Sequence, residues 1–268
     1  MVLVVDPGLG GRATSWQVDD VELLARYGDH PVEQGMYPMA PWAGRLRGNG
    51  VPTWDGFRDL PITYDGWAMH GTVLAREGRV IRNDSTSTGA ALDLSFDTHP
   101  EWPWPMRVDV GWRVEAERVT TTIAVNSDGG EFPAVVGWHP WFRRQLPVGG
   151  PATWHARVHA RLERGSDALP TGRELAFDPA DGPFDDALRV PDGRMELRWP
   201  GALSIDIASD AQWFVVYDRP QEALCLEPQT GPPDGLVARA GGSPRVVTPD
   251  APLTMTVTWT VRREEALR

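Results

Sequence analysis

Residues 253–261 read Leu-Thr-Met-Thr-Val-Thr-Trp-Thr-Val, with an apolar side chain at every second position. Because successive side chains of a β-strand point to opposite faces, this alternation predicts a strand with one face in the core. The same period of two recurs in five further runs, at residues 108–114, 119–125, 156–162, 195–199 and 213–217. The sequence therefore predicts a protein built mainly from β-strands.

Clusters of Gly, Pro, Asn and Asp separate these runs, for example at residues 126–130, 147–150 and 191–193. A spacing of about ten residues between turns is typical of an antiparallel sandwich or barrel. The best candidate for a short helix is residues 21–27, which fit a strand equally well. We therefore expect an all-β antiparallel fold, in one domain spanning residues 1–268.

The charge composition excludes several classes of function. All 26 basic residues are Arg, the chain contains no Lys, and the formal net charge is −11. A Schiff-base or P-loop lysine mechanism is therefore impossible. Non-specific binding to nucleic acid or to an anionic membrane surface is also disfavoured, because it needs an excess of basic residues. The net charge does not exclude binding of a small anionic ligand by one Arg.

Cys225 is the only cysteine, which excludes an intramolecular disulfide and fits a reducing, cytoplasmic location. Its apolar surroundings, residues 223–226, predict a buried structural thiol. Residues 1–6 are apolar but lack a cationic segment, and no run approaches the ~18 apolar residues of a membrane span. We therefore expect neither a signal peptide nor a membrane segment.

The segment with the clearest chemical signal is residues 137–142, Gly-Trp-His-Pro-Trp-Phe. Pro140 restricts the backbone beside His139, and three aromatic side chains offer flat apolar walls around its imidazole. Sugar rings pack their C–H faces against such walls, while their hydroxyls need hydrogen-bond partners. His139 is therefore a candidate sugar-site residue.

Two further titratable side chains complete a candidate acid/base site. Glu227 follows an apolar run and precedes Pro228, which predicts a strand end and a pKa raised by partial desolvation; a salt-bridged strand terminus fits the same pattern. His70 lies on a predicted loop and is either a packing residue or a second site imidazole. An imidazole and a carboxylate facing one pocket can act as an acid/base pair near pH 7 without a metal or cofactor.

Arg45 and Asp185 are weaker candidates when taken alone. Arg45 lies in an irregular segment, residues 37–50, where its guanidinium can either bind substrate oxygens in a cleft or pair with a surface acid. Asp185 and Asp186 follow a Gly-Pro pair and are most simply read as part of a turn.

Taken in order, these segments resemble the aldose 1-epimerase (galactose mutarotase) family. The similar segments are APWAGRLRGNG at 40–50, MHGTV at 69–73, GWHPWF at 137–142, FDD at 184–186 and LEPQTGPPDG at 226–235. Two positions depart from the family pattern: Gly44 precedes Arg45 where Asn is common, and Trp141 replaces a Tyr. These departures leave the sugar preference open.

The resemblance implies a large antiparallel β-sandwich of the galactose mutarotase type (a supersandwich), with the sugar site on one concave face. It also implies that Glu227 is the general base and His139 the general acid, and that Arg45, His70 and Asp185 hold the sugar. Asp186 is an alternative to Asp185. The implied activity is interconversion of the α and β anomers of a hexose through the open-chain aldehyde, with no metal or cofactor.

Three alternatives share this fold. A hexose-6-phosphate 1-epimerase needs extra cations, for which Arg47, Arg76, Arg143 and Arg144 are available. A glycoside hydrolase or lyase would use Glu227 with Asp185 or Asp186. A non-catalytic protein would bind the sugar without turnover. In each case we expect a small sugar as the ligand, no nucleic-acid or membrane partner, and a monomer or homodimer.

Overall fold

The computed structural model describes residues 1–237 and 244–264. These residues form 22 β-strands and four 3₁₀ helices. The strands are β1 (Val2–Asp6), β2 (Arg12–Val18), β3 (Val21–Glu22), β4 (Met36–Met39), β5 (Gly50–Thr53), β6 (Gly56–Asp59), β7 (Arg79–Ser85), β8 (Ala90–Asp97), β9 (Met106–Glu115), β10 (Arg118–Ser127), β11 (Phe132–Ala134), β12 (Gly137–Arg143), β13 (Thr153–Ala156), β14 (Ala160–Arg164), β15 (Pro170–Leu175), β16 (Asp185–Arg189), β17 (Arg194–Trp199), β18 (Leu203–Ser209), β19 (Trp213–Tyr217), β20 (Ala223–Gln229), β21 (Arg245–Val247) and β22 (Leu253–Arg263). The 3₁₀ helices are Pro7–Leu9, Pro31–Glu33, Arg47–Asn49 and Pro179–Asp181. None of the helices in these two ranges has the length and apolar character needed to cross a membrane.

Two large antiparallel sheets contain most of the strands. The ten-stranded sheet has the order β1-β2-β4-β12-β20-β19-β16-β14-β15, with β3 paired to β2. The eight-stranded sheet has the order β13-β17-β18-β22-β10-β9-β8-β7. Two smaller pairs, β5-β6 and β11-β21, lie outside them. The expected all-β antiparallel fold is confirmed.

Aromatic side chains join the two large sheets. Trp138 of β12 meets Trp112 of β9 with ring centroids 4.8 Å apart, and Phe142 of β12 meets Trp199 of β17 at 6.1 Å and Trp259 of β22 at 6.3 Å. All five side chains are buried. Because large aromatic rings bury much apolar area, these contacts stabilise the packing of one sheet on the other.

The alternation within β12 divides its side chains between core and site. Trp138 and Phe142 point into the core, so the intervening His139 and Trp141 point to the opposite face of the ten-stranded sheet. There His139 stacks on Tyr37, and Trp141 stacks on Tyr27. The outer face of the ten-stranded sheet is therefore the face that carries the candidate site.

The structure corrects one sequence prediction and decides between the two alternatives of another. The single strand predicted at residues 156–162 is wrong: Ala156 ends β13, which pairs with β17 in the eight-stranded sheet, whereas Ala160 begins β14 in the ten-stranded sheet. The apolar alternation continues through this crossing, so it conceals the change of partner. Residues 21–27 form the short strand β3 followed by isolated bridges at Leu24 and Arg26, so the strand alternative is the correct one.

Candidate active site

The register between β12 and β20 places His139 directly opposite Glu227. In this antiparallel ladder Trp141 pairs with Cys225 and Gly137 pairs with Gln229. His139 and Glu227 lie midway between these two pairs, so they stand opposite each other. Directly opposed residues of antiparallel strands have their side chains on the same face. Eighty-eight residues of sequence separation are thus closed by a single strand pairing.

The position of Glu227 before Pro228 predicted a strand end, but the structure shows otherwise. Glu227 is in the interior of β20, which continues to Gln229, and its neighbour on the other side is Val215 of β19. Pro140 and Pro228 have no N–H groups, and the ladder between β12 and β20 is interrupted next to them. The prolines therefore mark a gap in pairing within the sheet rather than its edge.

The two side chains are in contact and almost fully buried. Nε2 of His139 lies 3.3 Å from Oε1 of Glu227, and the residues are 5% and 3% exposed. The second carboxyl oxygen, Oε2, accepts a hydrogen bond from Nε2 of Gln229 at 3.0 Å. One oxygen of Glu227 is therefore held by the protein, and the other faces the imidazole.

Burial drives both members of the pair toward their neutral forms. It raises the pKa of Glu227 well above its usual range, to which the charge of Asp185 adds, and it lowers the pKa of His139 to about 3. The raised pKa of Glu227 agrees with the sequence prediction. The same burial disfavours an imidazolium at His139 and a carboxylate at Glu227 in the free protein.

The backbone conformation of His70 directs its ring into the same pocket. His70 has φ of 62°, and the next residue, Gly71, has φ of 82°; a Cβ at Gly71 would lie 2.0 Å from the carbonyl oxygen of Ala40. Nδ1 of His70 accepts a hydrogen bond from the N–H of Gly44 at 3.3 Å, so the proton of the neutral ring is on Nε2. Burial lowers the pKa of His70 well below its usual value, and its ring meets that of His139 edge-on at 5.0 Å.

Tyr37 and Arg12 support the imidazole of His139. The Tyr37 ring stacks on it with centroids 4.7 Å apart and planes 14° apart, and the guanidinium of Arg12 lies 5.0 Å from the Tyr37 ring centroid. Arg12 is buried and donates to four backbone carbonyls, those of Leu9, Pro31, Gln34 and Leu74. This support could not be predicted from the sequence, because neither residue stands near the motif of His139.

Arg45 lines the pocket and forms no ion pair with any residue in the described part of the chain. Its Nε is buried and has no hydrogen-bond partner there. The alternative of a surface pairing for Arg45 is therefore wrong. Arg47, two residues further on, makes the surface pairing instead, with Asp234 and Asp167.

Asp185 and Asp186 both line the pocket and open β16 rather than a turn. Asp185 forms an ion pair with Arg164, whereas Asp186 lies 3.9 Å from Arg161. The structure thus brings all five predicted site residues to one cavity; they are Arg45, His70, His139, Asp185 and Glu227.

Other residues of this cavity were not predicted. Tyr27 stacks on Trp141, with centroids 5.0 Å apart and planes 8° apart, and forms an aromatic wall. Gln229 stood inside a quoted motif, but nothing in the sequence showed that it binds Glu227. The thiol of Cys225 is buried, as expected, and its sulfur lies within 4.8 Å of ligand atoms of His139 and Glu227. Together, these three side chains are spaced closely enough to bind one metal ion.

A sequence model described as aldose 1-epimerase matches residues 2–241. None of the curated proteins compared with the chain matches it significantly in sequence.

Similar solved structures include a galactose mutarotase-like protein from Clostridium acetobutylicum, with 14% identity and a TM-score of 0.83 over 98% of this chain and 92% of that one. A GalM/aldose epimerase homologue from C. elegans has 11% identity and a TM-score of 0.78 over 98% and 96% of the two chains. Galactose 1-epimerase from Lactobacillus acidophilus NCFM has 13% identity and a TM-score of 0.74 over 98% and 91%. At these identities the structures show a shared fold.

Proposed function

The chain belongs to the aldose 1-epimerase family, and from this we propose that it interconverts the α and β anomers of an unphosphorylated aldose, with Glu227 and His139 exchanging protons with the sugar. The observation that carries the proposal is the 3.3 Å contact between Nε2 of His139 and Oε1 of Glu227 in the wall of an aromatic-lined pocket. A proton acceptor and a proton donor this close can serve two adjacent oxygens of one pyranose.

Mutarotation requires two proton transfers. The anomeric hydroxyl must lose a proton while the ring oxygen, O5, gains one, so that the C1–O5 bond breaks and the open aldehyde forms. We propose that the proton of Glu227 first moves to Nε2 of His139. The Glu227 carboxylate then takes the proton of the anomeric hydroxyl, and the His139 imidazolium gives its proton to O5.

Rotation about C1–C2 presents the other face of the aldehyde, and ring closure reverses both transfers. His139 takes the proton back from the O5 hydroxyl, and Glu227 returns its proton to the carbonyl oxygen. The pair ends with the one proton it held at the start, so no external acid or base is consumed. Each positioned transfer contributes typically 10²–10⁴-fold.

The pKa shifts favour these roles. A Glu227 carboxylate whose pKa is raised by burial is a stronger base toward the anomeric hydroxyl than an exposed carboxylate. A His139 imidazolium whose pKa is lowered to about 3 is a stronger acid toward O5 than an exposed imidazolium. The same burial disfavours the ionic form of the pair in the free protein.

Three further side chains are proposed to hold the sugar hydroxyls. Arg45 offers a guanidinium without an ion-pair partner in the described residues, and His70 offers its Nε2 proton. Asp185 is favoured over Asp186 as the hydroxyl acceptor, because it stands opposite Tyr217, a pocket residue, in the ladder of β16 and β19.

The charge around the pocket favours a neutral sugar over a sugar phosphate. Five carboxylic acids line the cavity, Glu33, Glu163, Asp185, Asp186 and Glu227, against two guanidiniums, those of Arg45 and Arg164. The four arginines proposed from the sequence as phosphate ligands do not line it, and each donates to another partner: Arg47 to Asp234, Arg76 to the carbonyl of Asp97, Arg143 to that of Leu24 and Arg144 to that of Asp218. Asp185, Asp186 and Glu163 pair with Arg164, Arg161 and Arg173, so among the described residues of the lining only Arg45 offers a guanidinium without an ion-pair partner to a phosphate dianion.

Polarimetry of freshly dissolved α-D-galactose and α-D-glucose tests the proposed function. We expect catalytic amounts of protein to speed the decay of optical rotation to its equilibrium value for at least one of the two sugars. A protein that binds these sugars without faster decay would support the non-catalytic alternative. Release of nitrophenol from nitrophenyl glycosides would support the hydrolase alternative.

A further inference from the structure

We propose that His139, Glu227 and Cys225 form a binding site for a thiophilic divalent cation such as Zn²⁺, and that the bound ion inhibits the isomerase by occupying its proton-transfer pair. The inhibition rests on the proposed function, whereas the binding does not.

The donor atoms of the three side chains lie close together. One imidazole nitrogen of His139, the sulfur of Cys225 and one carboxyl oxygen of Glu227 lie within 4.8 Å of one another, and all three residues are buried. Cys225 and Glu227 are two residues apart on β20 and share one face of the strand, and the register sets His139 opposite Glu227. The backbone of two paired strands therefore fixes the group.

These donor atoms match the preferences of zinc. Nitrogen, sulfur and oxygen are the ligand atoms that Zn²⁺ takes in proteins, at bond lengths that put tetrahedral ligands about 3.5 Å apart. The present spacing of up to 4.8 Å would have to close by about 1 Å for all three atoms to coordinate one ion. Because His139 and Glu227 line the pocket, the fourth coordination position is open to water.

Polar atoms without partners lie around the proton-transfer pair. Nδ1 of His139 and Oε1 of Gln229 are buried and have no hydrogen-bond partner among the described residues. The thiol of Cys225 has no role in the proposed proton transfers. A buried polar atom without a partner is costly, which indicates that the surroundings of the pair favour a polar ligand.

Charge balance also favours a divalent ion. When Zn²⁺ binds, the Cys225 thiol and the Glu227 carboxyl each lose one proton to solvent, while His139 binds as neutral imidazole. Two anionic ligands and one divalent cation leave no net charge in the buried site, which limits the desolvation cost. Mg²⁺ and Ca²⁺ prefer six or more oxygen ligands and are not expected to bind.

The first test is binding of ZnCl₂ to the protein, without an affinity tag, measured by titration calorimetry, with MgCl₂ as the control ion. We expect one Zn²⁺ per chain in the wild type and affinity at least about tenfold weaker in Cys225→Ala and Cys225→Ser. Co²⁺ in place of Zn²⁺ should give a thiolate-to-cobalt charge-transfer band that both variants lack. The band needs only the wild type, so it tests the site even if a variant does not fold.

The second test is polarimetry with and without ZnCl₂. Cys225→Ala should keep the metal-free rate within about twofold and need at least about tenfold more Zn²⁺ for the same inhibition. No Zn²⁺ binding to the wild type, or equal binding to Cys225→Ala, would overturn the proposal. If the wild type binds Zn²⁺ but shows no mutarotation, the metal site stands, and both the inhibition and the proposed function are refuted.

Discussion

Gln229 and Glu227, two residues apart on β20, are joined by a hydrogen bond of 3.0 Å from Nε2 of Gln229 to Oε2 of Glu227. The residue opposite Gln229 in β12 is Gly137, where a Cβ would lie 2.8 Å from Cγ of Gln229. The missing side chain at Gly137 thus makes room for the amide, and the amide leaves Oε1 of Glu227 to face His139.

Replacing Gln229 by Met, which keeps the side-chain length but removes the donor, should impair catalysis. The hydrogen bond lowers the pKa of Glu227, because it stabilises the carboxylate. Without it the pKa rises further. Since the pair must hold one proton to work, the alkaline limb of the kcat/KM profile against pH should move to higher pH, and kcat should fall about tenfold.

The matched control for this variant is Gln212→Met, since Gln212 is exposed and donates only to the carbonyl of Pro191. Its pH profile should equal that of the wild type. If Gln229→Met also gave the wild-type profile and kcat, the amide would have no part in positioning Glu227.

The lowered pKa of His139 should make stability depend on pH. The pKa of His139 is about 6.5 in the unfolded chain and about 3 in the folded protein. Between these pH values only the unfolded state binds a proton at this residue, so stability is lost as pH falls. From pH 7 to pH 5 the wild type should lose about 2 kcal/mol more than His139→Asn. Urea unfolding at both pH values measures the difference, and an equal loss in the two proteins would show that His139 is not held neutral.

Arg12 should be important for stability, although it lies outside the pocket lining. Replacing it by Met leaves the four carbonyls that it binds without their donor and removes the cation beside Tyr37. We expect the free energy of unfolding to fall by about 3 kcal/mol. Arg118→Met, which removes an exposed ion pair with Glu115, should change it by less than about 0.5 kcal/mol. Similar small effects of both variants in urea unfolding would refute the role of Arg12.

Glucose 6-phosphate should be a poorer substrate than glucose. The lining offers a phosphate one guanidinium without an ion-pair partner among the described residues, that of Arg45, so we expect kcat/KM at least about tenfold lower. Polarimetry of both sugars measures the gap. A preference for the phosphorylated sugar would mean that the charge of the cavity has been misjudged.

Much of the fold could be predicted from local alternation, whereas the site residues were brought together by the family resemblance. In residues 137–142 the period of two already separates Trp138 and Phe142, which face the core, from His139 and Trp141, which face the pocket. Strand partners are not encoded locally, so the switch of sheet between Ala156 and Ala160 was missed.

The supporting residues could not be predicted for the same reason. Gln229, Tyr37 and Arg12 act through contacts that depend on register and on long-range packing, and none has a motif of its own. The position of Glu227 was misread, because a proline after an apolar run usually marks a strand end. Here it marks an interruption of the ladder in the interior of a sheet.

The most direct test of the account is the polarimetric decay of freshly dissolved α-D-galactose and α-D-glucose with wild type, Glu227→Gln and His139→Asn. Both variants keep polar side chains of similar size but cannot take or give the required proton. The account predicts that each variant loses about 10²–10⁴-fold of the wild-type acceleration. Equal rates for the three correctly folded proteins would contradict it.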